Sequence, residues 1–189
     1  MSKELKLIPP SDIRVLSSIA PFDIETFKKQ EKESLKEFID SMFETMVKYG
    51  GIGLSANQVG KPYRMFVMGG HPEIHKGKKW VCFNPEIIEE SKQTTRLKEG
   101  CLTFPFLFLD IERPSAVKVK YLDGDLKEQE EDMIGIVSRC YQHELDHMNG
   151  LVFTEKVSKF KLDFAMKKRN KEIKRVQELW KQRTESSKK

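Results

Sequence analysis

The chain has 189 residues, 38% of them apolar and 33% charged, with a formal net charge of +5. That length fits one domain with a core of its own, and the composition is that of a globular protein rather than a disordered or fibrous one. No apolar run reaches the length of a membrane span, and the start, MSKELKLIPPSDIRV, lacks the charged-then-apolar order of a secretory signal. Three cysteines, Cys82, Cys101 and Cys140, at unpaired spacings argue against a disulfide framework and for a reducing, cytoplasmic setting.

Residues 1–23, with Pro9, Pro10 and Pro21, read as an irregular lead-in. A helix is predicted from Ile24 to Lys48, with Leu35, Phe38, Ile39, Met42, Met46 and Val47 on one apolar face and Gly50, Gly51 and Gly53 stopping it. Short apolar or alternating runs then predict strands at Met65–Met68, Trp80–Phe83, Ile87–Glu89, Phe106–Ile111 and Val117–Tyr121. Asp123-Gly124 is a hairpin-turn signal ahead of a strand at 126–130. Ile134, Val137, Cys140, Tyr141, Leu145 and Met148 recur at spacings of three and four, which predicts a mostly buried helix ended by Gly150. A short strand is expected at Leu151–Phe153. Along 157–183, Leu162, Met166, Ile173, Val176, Leu179 and Trp180 stand at near-helical spacing among lysines and arginines, an amphipathic helix. Residues 156–189 hold 13 Lys/Arg against 4 Asp/Glu, so the basic character lies in this tail. The pattern predicts an α+β fold: antiparallel sheet packed around a buried helix, with an N-terminal helix and a basic C-terminal one.

Inside the buried helix stands His143-Glu144-Leu145-Asp146-His147. Residues four apart lie one turn above each other, so both imidazoles can face one ion. Glu144 is one step round the helix, close enough to exchange protons with a water held there. The competing reading is a polar patch on an ordinary helix, but buried imidazoles need partners, and a metal would provide one. A third ligand is required. Cys101 is the candidate, in Glu99-Gly100-Cys101-Leu102-Thr103, where glycine permits close backbone approach and a thiolate suits a borderline metal. Cys82, between Val81 and Phe83, reads as core, and Cys140, three residues before His143, as lining the site. The stretch from Gly51 to Gln58, GIGLSANQ, lacks the lysine of a phosphate loop and the third glycine of a dinucleotide fingerprint. It reads as backbone that meets a substrate and ends in an amide donor.

Taken in order, GIGLSANQ, EGCLT and QHELDH resemble the three signature motifs of the peptide deformylase family, and PSDIRVLSSIAPFD resembles its N-terminal segment. The likeness covers about residues 8–155; Ser55 stands where that pattern usually has alanine and Thr103 where it usually has serine, both conservative changes. The resemblance implies a catalytic part at 1–155, with the basic helix and tail at 156–189 belonging to the same domain. It implies removal of the N-formyl group from formylmethionyl nascent peptides, with release of formate. Cys101, His143 and His147 would hold one divalent metal, Fe(II) in the usual cellular form, with zinc, nickel or cobalt able to substitute. Glu144 would carry the proton, while the Gln58 amide and the Leu102 N–H would hold the oxyanion. Ile52, Gly53 and Gly100 would pair with the extended peptide. Leu97, Ile136, Arg139, Cys140 and the His143 ring would line the methionine pocket, although Arg139 also reads as a solvated helix-end arginine. Glu99, Arg113 and Asp146 are expected to support the ligands, Glu99 pairing with Arg113, with plain surface charges as the alternative.

Because such substrates emerge from ribosomes, the basic tail implies docking on ribosomal RNA, with a membrane surface as the runner-up. A monomer in the cytoplasm of a bacterial or phage-infected cell is expected, and the absence of a transit-like N-terminus disfavours an organelle. Two rival functions are weaker. A zinc endopeptidase of the HExxHxxGxxH type needs a third ligand at the position of Phe153, and Glu172 is the only well-spaced acidic substitute. A non-catalytic ribosome-binding protein with a structural metal would need neither Glu144 nor Gln58.

Overall fold

The N-terminal apolar stripe is carried by two helices, Ile24–Gln30 (α1) and Leu35–Lys48 (α2), not by the single helix expected from 24 to 48. Local chemistry makes the break. Ser34 caps α2, its hydroxyl accepting from the Glu37 N–H at 3.2 Å while the Glu37 carboxylate accepts from the Ser34 N–H at 2.9 Å. That reciprocal box starts a new helix, and the extended backbone at Glu31 ends the previous one.

The computed structural model describes residues 4–72 and 74–186. After α2 come the strands Gly53–Ser55 (β1), Met65–Gly69 (β2), Lys79–Glu90 (β3), Thr94–Cys101 (β4), Phe104–Pro114 (β5), Ala116–Leu122 (β6) and Glu128–Ile134 (β7), then the helices Gly135–Met148 (α3) and Lys159–Ser186 (α4). The two strands expected at Trp80–Phe83 and Ile87–Glu89 are one continuous β3, irregular where Asn84 takes a positive φ of 49°. The strand expected at 126–130 lies further on, because Leu126 sits in the turn with φ 61°. Residues 151–153 form no strand; Phe153–Lys156 is a single 3-10 turn. β4 has no counterpart in the sequence reading, since its first five residues are exposed and show no apolar alternation.

All pairings are antiparallel, in a five-stranded sheet of order β1-β2-β3-β6-β7 and a separate β4-β5 hairpin. β2 shows how the layers form. Met65 and Val67 join a cluster with Phe38, Met42 and Met46 of α2, whereas Phe66 and Met68 join one with Tyr141, Leu145 and Met148 of α3. Strand alternation therefore places α2 and α3 on opposite faces of the large sheet. The Tyr141 hydroxyl pins α3 there, donating to the carbonyls of Glu86 (3.1 Å) and Lys120 (3.3 Å). The other side of α3 meets the β4-β5 hairpin, so the HELDH segment lies between two sheets. Gly150, at φ 74°, turns the chain out of α3; a Cβ there would stand 2.7 Å from the backbone nitrogen of Ser18.

The amphipathic stripe of the tail is only half used. Leu162, Ala165 and Met166 of α4 pack on Leu107, Leu109, Ile111 and Phe153, and Arg169 Nε donates to the Pro105 carbonyl at 2.8 Å. Further along, Leu179 and Trp180 are exposed. Among the described residues, no helix is long and apolar enough to cross a membrane.

Candidate active site

α3 presents His143 and Glu144 at a cavity of about 540 Å3 whose other walls are the turn after α2, β1 and the β4-β5 hairpin, and His147 stands one helical turn behind His143. Cys101, the last residue of β4, places Sγ 3.3 Å from His147 Nε2. The donor atoms of Cys101, His143 and His147 all lie within 4.8 Å of one another, close to what one ion with ligands at roughly 2.0–2.3 Å demands. The surroundings fit such an ion. His143 Nδ1 is engaged by Glu99 Oε2 at 3.1 Å, which leaves its Nε2 for a metal, and His147 presents its own Nε2 toward Cys101. Burial would push the Cys101 thiol up, but the His147 and His143 imidazoles outweigh it and hold it well below its ordinary value, favouring the thiolate.

Glu99 is the hub behind these ligands. Arg113 donates to it twice, Nε to Oε1 at 2.7 Å and Nη2 to Oε2 at 3.0 Å, and Arg139 Nη1 reaches Oε1 at 2.5 Å. Arg113 also donates to Asp146 at 2.8 Å, and Lys156 stands 3.1 Å from the same carboxylate. Burial would raise the Glu99 carboxyl, yet its bonds to His143 and Arg113 hold it at about 2. Glu99, Arg113 and Asp146 are thus brought together. Arg139 is no solvated arginine: it is 4% exposed and donates to the carbonyls of Ile111 (3.0 Å) and Thr95 (2.7 Å), fastening α3 to β5 and β4.

Glu144 faces β1 at close range. A Cβ on Gly53 would stand 2.4 Å from Glu144 Oε1 and 2.7 Å from Cys140 Sγ, so only glycine fits. Glu144 Oε2 is buried without a protein partner, and burial raises its carboxyl above the ordinary value. Gln58 is oriented from both ends. Its Oε1 accepts from the Ser55 N–H (2.9 Å) and hydroxyl (2.8 Å), while Nε2 donates to Thr103 Oγ1 at 2.9 Å and to Cys101 Sγ at 3.3 Å. Ser55 and Thr103, the two departures from the motif pattern, therefore both act on Gln58. Leu102, between them and the ligand cysteine, lies against Gly51.

Ile52, Gly53, Gly100, Ile136, Arg139 and Cys140 line the cavity, and Leu97 stands beside it on β4. Asn57 is a participant the sequence reading passed over. Its Nδ2 donates to the His147 carbonyl at 2.8 Å, tying the ligand helix to the glycine-rich segment, and its only signal was its place inside GIGLSANQ. Phe153, where a protease of this motif would carry its third ligand, instead packs its ring at a tilt against that of His143, with centroids 5.7 Å apart.

Two imidazoles and a thiolate beside a carboxyl with a free oxygen are the parts hydrolysis at a metal calls for, and they place the chain among metal-dependent hydrolases. The polypeptide deformylase profile matches residues 15–163. A peptide deformylase from Brucella suis is 38% identical over 166 residues, covering 88% of this chain and 90% of its own length. Among solved structures, a peptide deformylase from Legionella pneumophila aligns with a TM-score of 0.79 at 33% identity, over 93% of this chain and 98% of that one. One from Ehrlichia chaffeensis in complex with actinonin aligns at 0.75 and 38% identity, over 91% and 98%. The chain belongs to the polypeptide deformylase family.

Gly53→Ala tests the packing of β1 on Glu144. Displacing that carboxyl by an ångström is expected to lower turnover about 100-fold, and overpacking the buried site should cost about 1–3 kcal/mol of stability with the protein still folded. Steady-state kinetics beside a melting curve check it, and full activity would show that Glu144 has room to move.

Proposed function

We infer that this enzyme hydrolyses the N-formyl group of formylmethionyl nascent peptides and releases formate. The observation that carries the reading is the meeting of Glu144, Gln58, Cys101 and His143 at one cavity, with the His147 donor within 4.8 Å of the Cys101 and His143 donors, flanked by two strands that each pair on one side only, β1 with β2 and β4 with β5. A divalent ion held by the three donors would supply Lewis-acid polarisation of the formyl carbonyl and acidify a water. Glu144 takes a proton at its free Oε2 and returns it to the leaving amine, so that the peptide departs with a neutral amino group. The Gln58 Nε2 hydrogen now directed at Cys101 Sγ is the one that meets the developing oxyanion, together with the Leu102 N–H.

The peptide lies extended between the open edges of β1 and β4, bonded to backbone groups of Ile52, Gly53 and Gly100. Its methionine side chain enters among Ile136, Cys140 and the His143 ring, on the face of β4 that Leu97 shares with Glu99. The actinonin complex of the Ehrlichia relative is an analogy for an occupant of this cleft. Glu99, Arg113 and Asp146 keep the ligands in place. The ion is proposed to be Fe(II), replaceable by zinc, nickel or cobalt, because a mixed thiolate and imidazole set accepts any of these borderline metals. The enzyme acts as a monomer in the bacterial cytoplasm, and the exposed half of α4, with Lys171, Lys174, Arg175, Lys181 and Arg183, docks on ribosomal RNA.

Protein prepared anaerobically with Fe(II) is expected to release formate from a formyl-Met tripeptide. Glu144→Ala should lower kcat by about 100- to 10,000-fold with the metal still bound, since general acid–base assistance is of that order. A folded, metal-loaded wild type that releases none would favour a structural metal. For the tail, deletion of residues 171–189 spares the packed Leu162, Ala165 and Met166. It should weaken ribosome binding and flatten its salt dependence, and unchanged affinity at physiological salt would remove the docking idea.

A further inference from the structure

We propose that Phe106 and Phe108 form an aromatic shelf that selects a large apolar side chain at the residue following methionine in the substrate. The inference rests on the reading that the peptide pairs with β4 at Gly100.

The hairpin register sets the shelf. Gly100 pairs with Phe108, yet the next pair is Cys101 with Phe104, so one step on β4 is matched by four on β5. The surplus residues Pro105, Phe106 and Leu107 bulge from the ladder, and a bulge re-aims side chains. Phe106 pays for this with a φ of 65°, a left-handed backbone that glycine adopts freely and a bulky aromatic residue does not. Burial does not compensate, because its side chain is 45% exposed at the cavity wall. Strain retained at an exposed aromatic residue beside a reaction site points to a task for the ring.

Phe108 is 59% exposed, and its ring leans over Gly100: a Cβ on that glycine would stand 2.8 Å from Cε1 and 3.0 Å from Cδ1. The ring thus covers the space of the missing side chain and reaches toward the open edge of β4. Side chains of an extended peptide alternate in direction. With methionine pointing toward α3, on the side where Glu99 meets Arg139 and His143, the next side chain points to the opposite face, which carries Gly100 and Phe108. A phenylalanine or leucine there would rest on the shelf, whereas glycine would leave both rings in water.

The test compares formyl-Met-Phe-Ser with formyl-Met-Gly-Ser on metal-loaded enzyme. Wild type is expected to favour the phenylalanine peptide about tenfold in kcat/KM, mainly through KM. Phe108→Ala should bring that ratio close to one. Phe106→Gly should also lower the ratio while melting no lower than wild type, since it relieves the left-handed strain. A wild-type ratio near one, or equal losses for both peptides in Phe108→Ala, would overturn the shelf. If neither peptide releases formate, the reaction assignment fails. Calorimetric binding of the products Met-Phe-Ser and Met-Gly-Ser then decides the shelf separately: tighter binding of the first supports it, and equal affinity overturns it.

Discussion

One buried carboxylate, that of Glu99, is clasped by two guanidiniums and an imidazole, and the geometry of the site depends on it. Buried ion pairs add little net stability, because desolvation offsets most of the attraction, but removing one partner strands a charge and costs about 3–5 kcal/mol. Such a network is therefore strong as a geometric constraint. Its members come from β4 (Glu99), β5 (Arg113) and α3 (Arg139, Asp146), which are the hairpin and the helix that carry the ligands. β4 needs this anchor, since its first five residues are exposed and leave little packing to fix where Cys101 falls. The same carboxylate holds His143 Nδ1, so it sets the ring orientation of one ligand and the chain position of another.

The remaining architecture brings two sheet edges to that centre. α2 and α3 cover opposite faces of the large sheet, which leaves the short β1 as its edge, lying against Glu144 at a glycine. The β4-β5 hairpin, backed by α4, supplies the second edge. An extended chain laid between them completes the hydrogen bonding of both strands, and this is a physical reason for a peptide substrate that does not depend on the family resemblance. Ser55 and Thr103 belong to the same scheme. They orient the Gln58 amide from its two ends, so the small departures from the motif fall on one residue rather than on unrelated features.

Much of the site was legible in the sequence because its signals are local. The periodicity of residues 134–148 marks a buried helix, and a spacing of four puts His143 and His147 on one side of it. What escaped was set by distant partners. The sequence TTRLKEGC shows neither alternation nor burial, and becomes a strand only because β5 pairs with it. Arg139 reads equally well as solvated or as pocket rim, since its main partner, Glu99, lies 40 residues away. Leu97 was assigned to the pocket by likeness alone; it shares a face of β4 with Glu99 but is not among the residues lining the cavity. The break between α1 and α2 was written in Ser34 and Glu37, but the apolar stripe running through both helices obscured it. Phe153 falls in a 3-10 turn rather than a strand, which aims its ring at His143 and leaves no place for a protease ligand.

The most direct measurement of the Glu99 account is the metal dissociation constant of Glu99→Gln against wild type, by anaerobic competition with a chelator, with circular dichroism confirming that both are folded. Glutamine keeps the shape and removes the charge that engages Arg113, Arg139 and His143. Affinity weaker by about 10- to 100-fold is the predicted result. Equal affinity in a folded variant would contradict the account and show that the Cys101, His143 and His147 geometry is fixed by packing alone.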